Sequence, residues 1–365
     1  MFKKIVLPVG ASVASICLYQ AFKVRRNYVT NYRRTEEPLP GPHFGMETVV
    51  QPGLLSNMKE PDGIYEKGLS HIKRLISRSK KVEHEHDGII PTISNRRRIK
   101  LVILGDSLVF GVGCDQPKSI PILPQFLAKV ISNALNADVD WISDGKVGGT
   151  VSSIRSTVLP AIKRKLLRSY RTEENNHDEK EKEKEKMKEE MTSLKHEGVD
   201  VPELKQKATE LIVIVICGLN DWKETFESFP FGFGPVGFKD NLGKLVDEIK
   251  DIGQQIKLPC KVFLPSLPLT CTLSDPQCSF RAAPLYQIFR TVSWVWDQQK
   301  HALAFDDPKE ATAFIGSPRL DSEYAVPGEG NISSDGIHPT NQGYKWWAMH
   351  LAEEICMSIN IKPTV

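Results

Sequence analysis

The chain is short of several features that would assign its class at once. Its seven cysteines (17, 114, 217, 260, 271, 278 and 356) are an odd count without metal-ligand spacing. Cys217 and Cys260 lie in or beside apolar runs and read as reduced core thiols. Cys271 and Cys278 are near enough to pair across a loop. Neither sign of charge dominates: 48 basic and 45 acidic residues leave a net +3. The clustered basic face of a nucleic-acid binder is therefore not expected. No metal-ligand cluster is present, so the chemistry requires neither metal nor cofactor. What remains is ordinary globular composition, 40% hydrophobic with 8% aromatic residues, enough to bury a real core. At 365 residues the chain exceeds an average domain but fits one α/β domain with insertions.

The N-terminus lacks acidic residues altogether until Glu36, and Ile5–Phe22 carries no charge at all. Eighteen mostly apolar residues are just enough to span a bilayer core of ~30 Å, although Pro8, Gly10, Ser12 and Gln20 weaken the span. Lys3 and Lys4 precede it, and Lys23, Arg25, Arg26, Arg33 and Arg34 follow. The heavier positive flank favours a single-pass anchor with a cytosolic body. A mitochondrial presequence and a cleaved secretory signal are the competing readings. The sequence thus divides into an N-terminal hydrophobic segment (1–25), a polar Pro- and Gly-punctuated approach (26–98) and a main domain (99–358).

Within the approach, "EEPLPGPHFGMETVVQPG" has little helical or strand periodicity. "DGIYEKGLSHIKRLISRSK" predicts one helix, with Ile64, Leu69, Ile72 and Ile76 on one face. The first strong strand is Ile99–Leu104, a continuous apolar run suited to a strand covered on both faces. Further strands are predicted at 137–143, 210–218, 260–268 and 312–316, and helices at 119–135, 239–257 and 281–304. Strands alternating with helices imply a parallel, doubly wound sheet, an α/β/α sandwich. One insertion (172–208) breaks the rhythm. Its Glu/Lys-rich core, 173–191, puts like charges at i,i+4 and opposite charges at i,i+3, so the pair energies largely offset. It reads as a solvated arm, with a protein-partner role as the alternative.

The stretch "VILGDSLVFGVG" (102–113) ends a strand on a small serine flanked by glycines. The spacing of Gly105, Gly111 and Gly113 is wrong for a dinucleotide fingerprint, and no phosphate-loop lysine follows. Ser107 alone would be an ordinary helix N-cap. Three other stretches shift the weighing. Gly148 and Gly149 follow a predicted strand, where an exposed backbone N–H can donate to an oxyanion. Asn220 stands just beyond the most apolar strand, at the edge where α/β sheets bind ligands. Asp335 precedes His338 by three residues, a spacing that lets a carboxylate orient an imidazole.

Together these blocks resemble the SGNH (GDSL-type) esterase and lipase superfamily. "GDSL" at 105–108, "GGT" at 148–150, "GLND" at 218–221 and "DGIHP" at 335–339 carry the resemblance, over about residues 99–358. It implies a flavodoxin-like three-layer α/β/α fold and a serine ester hydrolase. Ser107 would be the nucleophile, His338 the general base and Asp335 its orienting partner. The N–H groups of Ser107 and Gly148, with the Asn220 amide, would form the oxyanion hole. Gly149 departs from the polar residue frequent in relatives, which puts substrate shape rather than reaction in doubt.

The stretch after Asn220 holds five phenylalanines between Phe226 and Phe238. Phe229, Phe231 and Phe233 are candidates for an apolar acyl pocket or a membrane contact, against a plain packing role. The expected substrate is a carboxylic ester with a lipid-like or other apolar acyl part. The rival reading is an idle fold that binds partners through the charged arm. "NIS" at 331–333 is an N-glycosylation sequon directly ahead of Asp335.

Overall fold

A computed structural model describes residues 43–47, 63–81, 97–114, 121–171, 208–228, 234–273, 275–278, 281 and 284–360. The hydrophobic segment at 5–22, the charged insertion and Phe229, Phe231 and Phe233 lie outside them. So does the Cys271 side chain, and with it the suggested pairing to Cys278. Among the described residues no helix is long and apolar enough to cross a membrane.

The apolar runs form a six-stranded sheet: β1 (His43–Glu47), β2 (Arg98–Gly105), β3 (Asp138–Gly145), β4 (Glu210–Ile216), β5 (Cys260–Pro265) and β6 (Thr312–Ile315). Its order is β1-β3-β2-β4-β5-β6. β2 to β6 are parallel, and β1 alone pairs antiparallel with β3. The parallel strands taken in chain order run 2-1-3-4-5, the flavodoxin-like arrangement, and the switch point lies between β2 and β4. All five predicted strands are present, with ends shifted by a few residues.

β2 is buried along its whole length, which is why it reads as an unbroken apolar run. Its side chains still divide between two cores by the period of two. Ile99, Leu101 and Ile103 face one layer with Ile212 and Ile214 of β4. Val102 and Leu104 face the other with Leu211, Val213 and Val215. The first layer holds helices α1 (Ile64–Lys81), α3 (Ile122–Leu135) and α9 (Asn341–Asn360). The second holds α4, which begins at Val151–Ser153, passes through a π-helical turn at Ile154–Val158 and runs on to 171. With it lie α6 (Gly234–Gln255) and α8 (Leu285–Phe305). The short α2 (Ser107–Phe110), α5 (Leu219–Glu227) and α7 (Leu269–Leu273) follow β2, β4 and β5.

The approach segment follows its reading in one respect and departs from it in another. The helix predicted near 64–76 forms and carries Ile64, Tyr65, Ile72 and Ile76 into the first core. In addition, "HFGME" supplies an edge strand that its sequence did not suggest. An edge strand needs only its neighbour's hydrogen bonds, and β3 provides them from His43↔Ser143 to Glu47↔Val139.

Candidate active site

Each motif stands at the carboxyl end of a parallel strand or on the loop before α9. After β2, Asp106 caps α2: its Oδ1 accepts from Leu108 N–H at 3.0 Å. The cap turns the chain sharply and presents Ser107, 6% exposed, at the helix start. After β3, Thr150 caps α4. Gly148 just before it is exposed and adopts φ +70°, and a side chain placed there would meet nothing within 4 Å. Its surroundings are open space rather than packed protein. After β4, Gly218 at φ +123° ends the strand and α5 begins, carrying Asn220 and Asp221 in its first turn.

The loop before α9 is held from several sides. Ser333 N–H donates to His338 O and Thr340 N–H to Asn331 O, each at 2.9 Å. The fully buried Asp275 accepts at Oδ2 from the N–H groups of Asn331 (2.8 Å) and Ile332 (3.0 Å). Asn331 is itself buried, and its Nδ2 donates to the carbonyls of Val326 (2.5 Å) and Gly328 (3.2 Å). The sequon asparagine is therefore a structural residue of the loop, not a surface acceptor. Gly113, at φ +99°, presses against the other side. A Cβ there would stand 2.7 Å from His338 Cβ and 2.6 Å from Pro339 O.

These restraints bring Ser107, His338 and Asp335 into one line. Ser107 Oγ lies 3.0 Å from His338 Nε2, and His338 Nδ1 lies 2.6 Å from Asp335 Oδ2. The other Asp335 oxygen accepts from Ser333 Oγ (2.7 Å) and from the N–H groups of Ile337 and His338 (2.9 Å each). Burial pushes the Asp335 carboxyl up, but the hydrogen bonds from His338 and Ser333 outweigh it and hold the group at about 2. It is thus an anion at neutral pH, fixed against the imidazole.

Asn220 joins the other motifs to this line. Its Nδ2 donates to Asp106 Oδ2 at 3.3 Å and to Gly149 O at 3.2 Å. The amide therefore sits between the residue before Ser107 and the residue after Gly148. Asp221 adds a second tie, accepting from Val151 N–H at 2.9 Å. Burial raises the carboxyls of both Asp106 and Asp221 to about 6. The Leu108 N–H and the nearby His338 and Lys300 side chains hold Asp106 down in part. Lys300, 1% exposed, lies beneath Gly218 and donates to Pro265 O at 2.7 Å.

Sequence reasoning missed Asp275, Asp106 and Lys300, which look like a turn residue, a cap and a surface lysine. It also missed a small apolar cleft beside His338, lined by Leu108, Leu219, Leu267, Leu269, Phe289 and Ile337. A serine hydroxyl hydrogen-bonded to an imidazole that a carboxylate orients suits acyl transfer.

Residues 101–351 match the family model described as GDSL-like lipase/acylhydrolase. No curated protein matches the chain at a comparable level. Among solved structures, the chain resembles the lipase Lip_vut3 from a goat rumen metagenome. That pair is 16% identical with a TM-score of 0.40, over 71% of this chain and 97% of that one. It also resembles TesA (16% identical, TM-score 0.41, 72% and 99% covered). A lipase/acylhydrolase from Enterococcus faecalis is similar too (18% identical, TM-score 0.39, 73% and 98% covered).

Proposed function

The chain belongs to the GDSL-like lipase/acylhydrolase family, and from that premise we propose that it hydrolyses carboxylic esters with an apolar acyl part through an acyl-enzyme on Ser107. The observation that carries this reading is the continuous hydrogen-bonded line from Ser107 through His338 to Asp335.

His338 Nε2 takes the proton of Ser107 Oγ as the oxygen attacks the ester carbonyl carbon. The Asp335 carboxylate stabilises the imidazolium that forms. The carbonyl oxygen becomes an oxyanion held by the N–H groups of Ser107 and Gly148 and by Asn220 Nδ2. In the resting site both Asn220 hydrogens are engaged, by Asp106 and Gly149, so the oxyanion competes with one of these acceptors. Each such donor is worth ~3–4 kcal/mol in the transition state. His338 then passes its proton to the departing alcohol oxygen, breaking the ester C–O bond. Water, deprotonated by the same imidazole, releases the acid and restores Ser107.

Fluorophosphonate labelling of the full-length chain tests the reading. Wild type is expected to label and Ser107→Ala and His338→Ala are not. Equal labelling of wild type and Ser107→Ala, or none in wild type together with no ester turnover, would refute it.

A further inference from the structure

Resting on that ester-hydrolase reading, we propose that the cleft beside His338 takes the acyl group and that Phe289 closes it, making the enzyme selective for esters of short acids. Three of its walls are chain neighbours of the reacting groups. Leu108 follows Ser107, Leu219 precedes Asn220, and Ile337 precedes His338. A carbonyl carbon bonded to Ser107 Oγ, with its oxygen turned to the Asn220 side, therefore carries its substituent directly into this cleft. Apart from Thr272 and His338 the lining side chains are apolar, which suits an alkyl chain. Lys146, Val147 and Gly148, on the loop after β3, are exposed. The alcohol departs on that side.

The room is small. The cleft holds about 30 Å³, on a scale where one water takes about 10–15 Å³. That is room for two or three heavy atoms beyond the carbonyl, an acyl group of up to about four carbons. Phe289, on α8, lines the cleft and is 2% exposed. Its ring meets Trp222 edge-on, with centroids 5.2 Å apart and planes at 86°. Trp222 lies two residues after Asn220 on α5, so Phe289 is braced by the helix that carries Asn220. Leu269, half-buried at the start of α7, lines it as well.

The test uses p-nitrophenyl esters from acetate to laurate, which vary the acyl part under one leaving group. Wild type is expected to give its highest kcat/KM between acetate and butyrate and at least tenfold less on octanoate. Phe289→Ala is expected to raise the octanoate-to-butyrate ratio at least tenfold. Because Phe289 is buried, Leu269→Ala serves as a second variant that opens the cleft in the same direction. Ser107-dependent hydrolysis of octanoate at or above the butyrate rate would overturn the short-acyl assignment and leave the esterase intact. So would ratios unmoved by both variants, or selectivity that follows the alcohol in a matched series of alkyl acetates. Absence of Ser107-dependent turnover on every ester would overturn the esterase reading and this proposal with it.

Discussion

Replacing Asp106 by asparagine should change how stability responds to pH. Asp106 is completely buried, and its carboxyl titrates at about 6 in the folded chain against 3.8 in the unfolded one. A raised folded value means that the contribution is fully present below 3.8 and is lost as pH rises through 6. That gap is worth about 3 kcal/mol in all, and about 2 kcal/mol of it falls between pH 4.5 and 7.5. Asparagine removes the titration while keeping an oxygen to accept from Leu108 N–H. It also sets its NH2 against Asn220 Nδ2, where Asp106 Oδ2 now accepts. That mismatch displaces the whole curve but does not tilt it. Asp221, pushed up partly by Asp106, would relax as well and flatten the variant further. Asp335 stays outside this window, because its carboxyl is depressed to about 2 and its contribution is lost only below pH 4. Urea unfolding of both full-length proteins across pH 4.5–7.5 measures the effect. The variant should gain about 2 kcal/mol on wild type over that range. Parallel curves would refute a buried carboxylate under strain.

Four further outcomes follow from the same geometry. Asn220→Ala should lower kcat on a short p-nitrophenyl ester by about 10²–10³-fold with little change in KM, as expected for a group acting mainly in the transition state; an unchanged kcat would remove it from the oxyanion hole. Gly148→Ala should cost about 1–2 kcal/mol of stability, because φ is +70°, yet reduce kcat/KM more than tenfold; thermal unfolding and ester kinetics separate the two. Asp275→Ala strands two N–H groups of the His338 loop and should destabilise by about 2–4 kcal/mol, read as a lower midpoint in urea. Deleting 173–191 should leave the thermal transition and phosphonate labelling in place, because closing a shorter loop changes the free energy by about 1 kcal/mol or less.

The parallel sheet was legible because it follows from local rules, whereas Ser107, Asp335 and His338, which the structure brings into one hydrogen-bonded line, were singled out by the resemblance of four short motifs. A strand buried on two faces reads as an apolar run, and a polar group at its carboxyl end falls where such sheets bind ligands. β1 was not legible, since His43–Glu47 owes its extended form to the free edge of β3. The cleft was hidden for a related reason. Leu267, Leu269 and Phe289 come from different elements, and in the sequence nothing separates a leucine facing a cleft from one facing the core. Attention therefore went to Phe229, Phe231 and Phe233, where aromatic density is visible locally. Asp275 sits in "LSDPQC", which has the composition of a plain turn. Only the folded chain reveals that it receives the loop carrying His338.

The burial of Asn331 has a consequence in the time domain. A sequon is modified on a chain that is still extended, before its asparagine is withdrawn from the enzyme that attaches the sugar. Here the acceptor nitrogen is already committed to Val326 and Gly328, with Asp275 closing over the same backbone. Attachment of an oligosaccharide and closure of this loop are therefore mutually exclusive fates of one molecule. In any compartment where both can occur they form a race, and a molecule glycosylated first cannot seat His338. Its electrophoretic mobility would then record its competence: the slower band would be the inactive one.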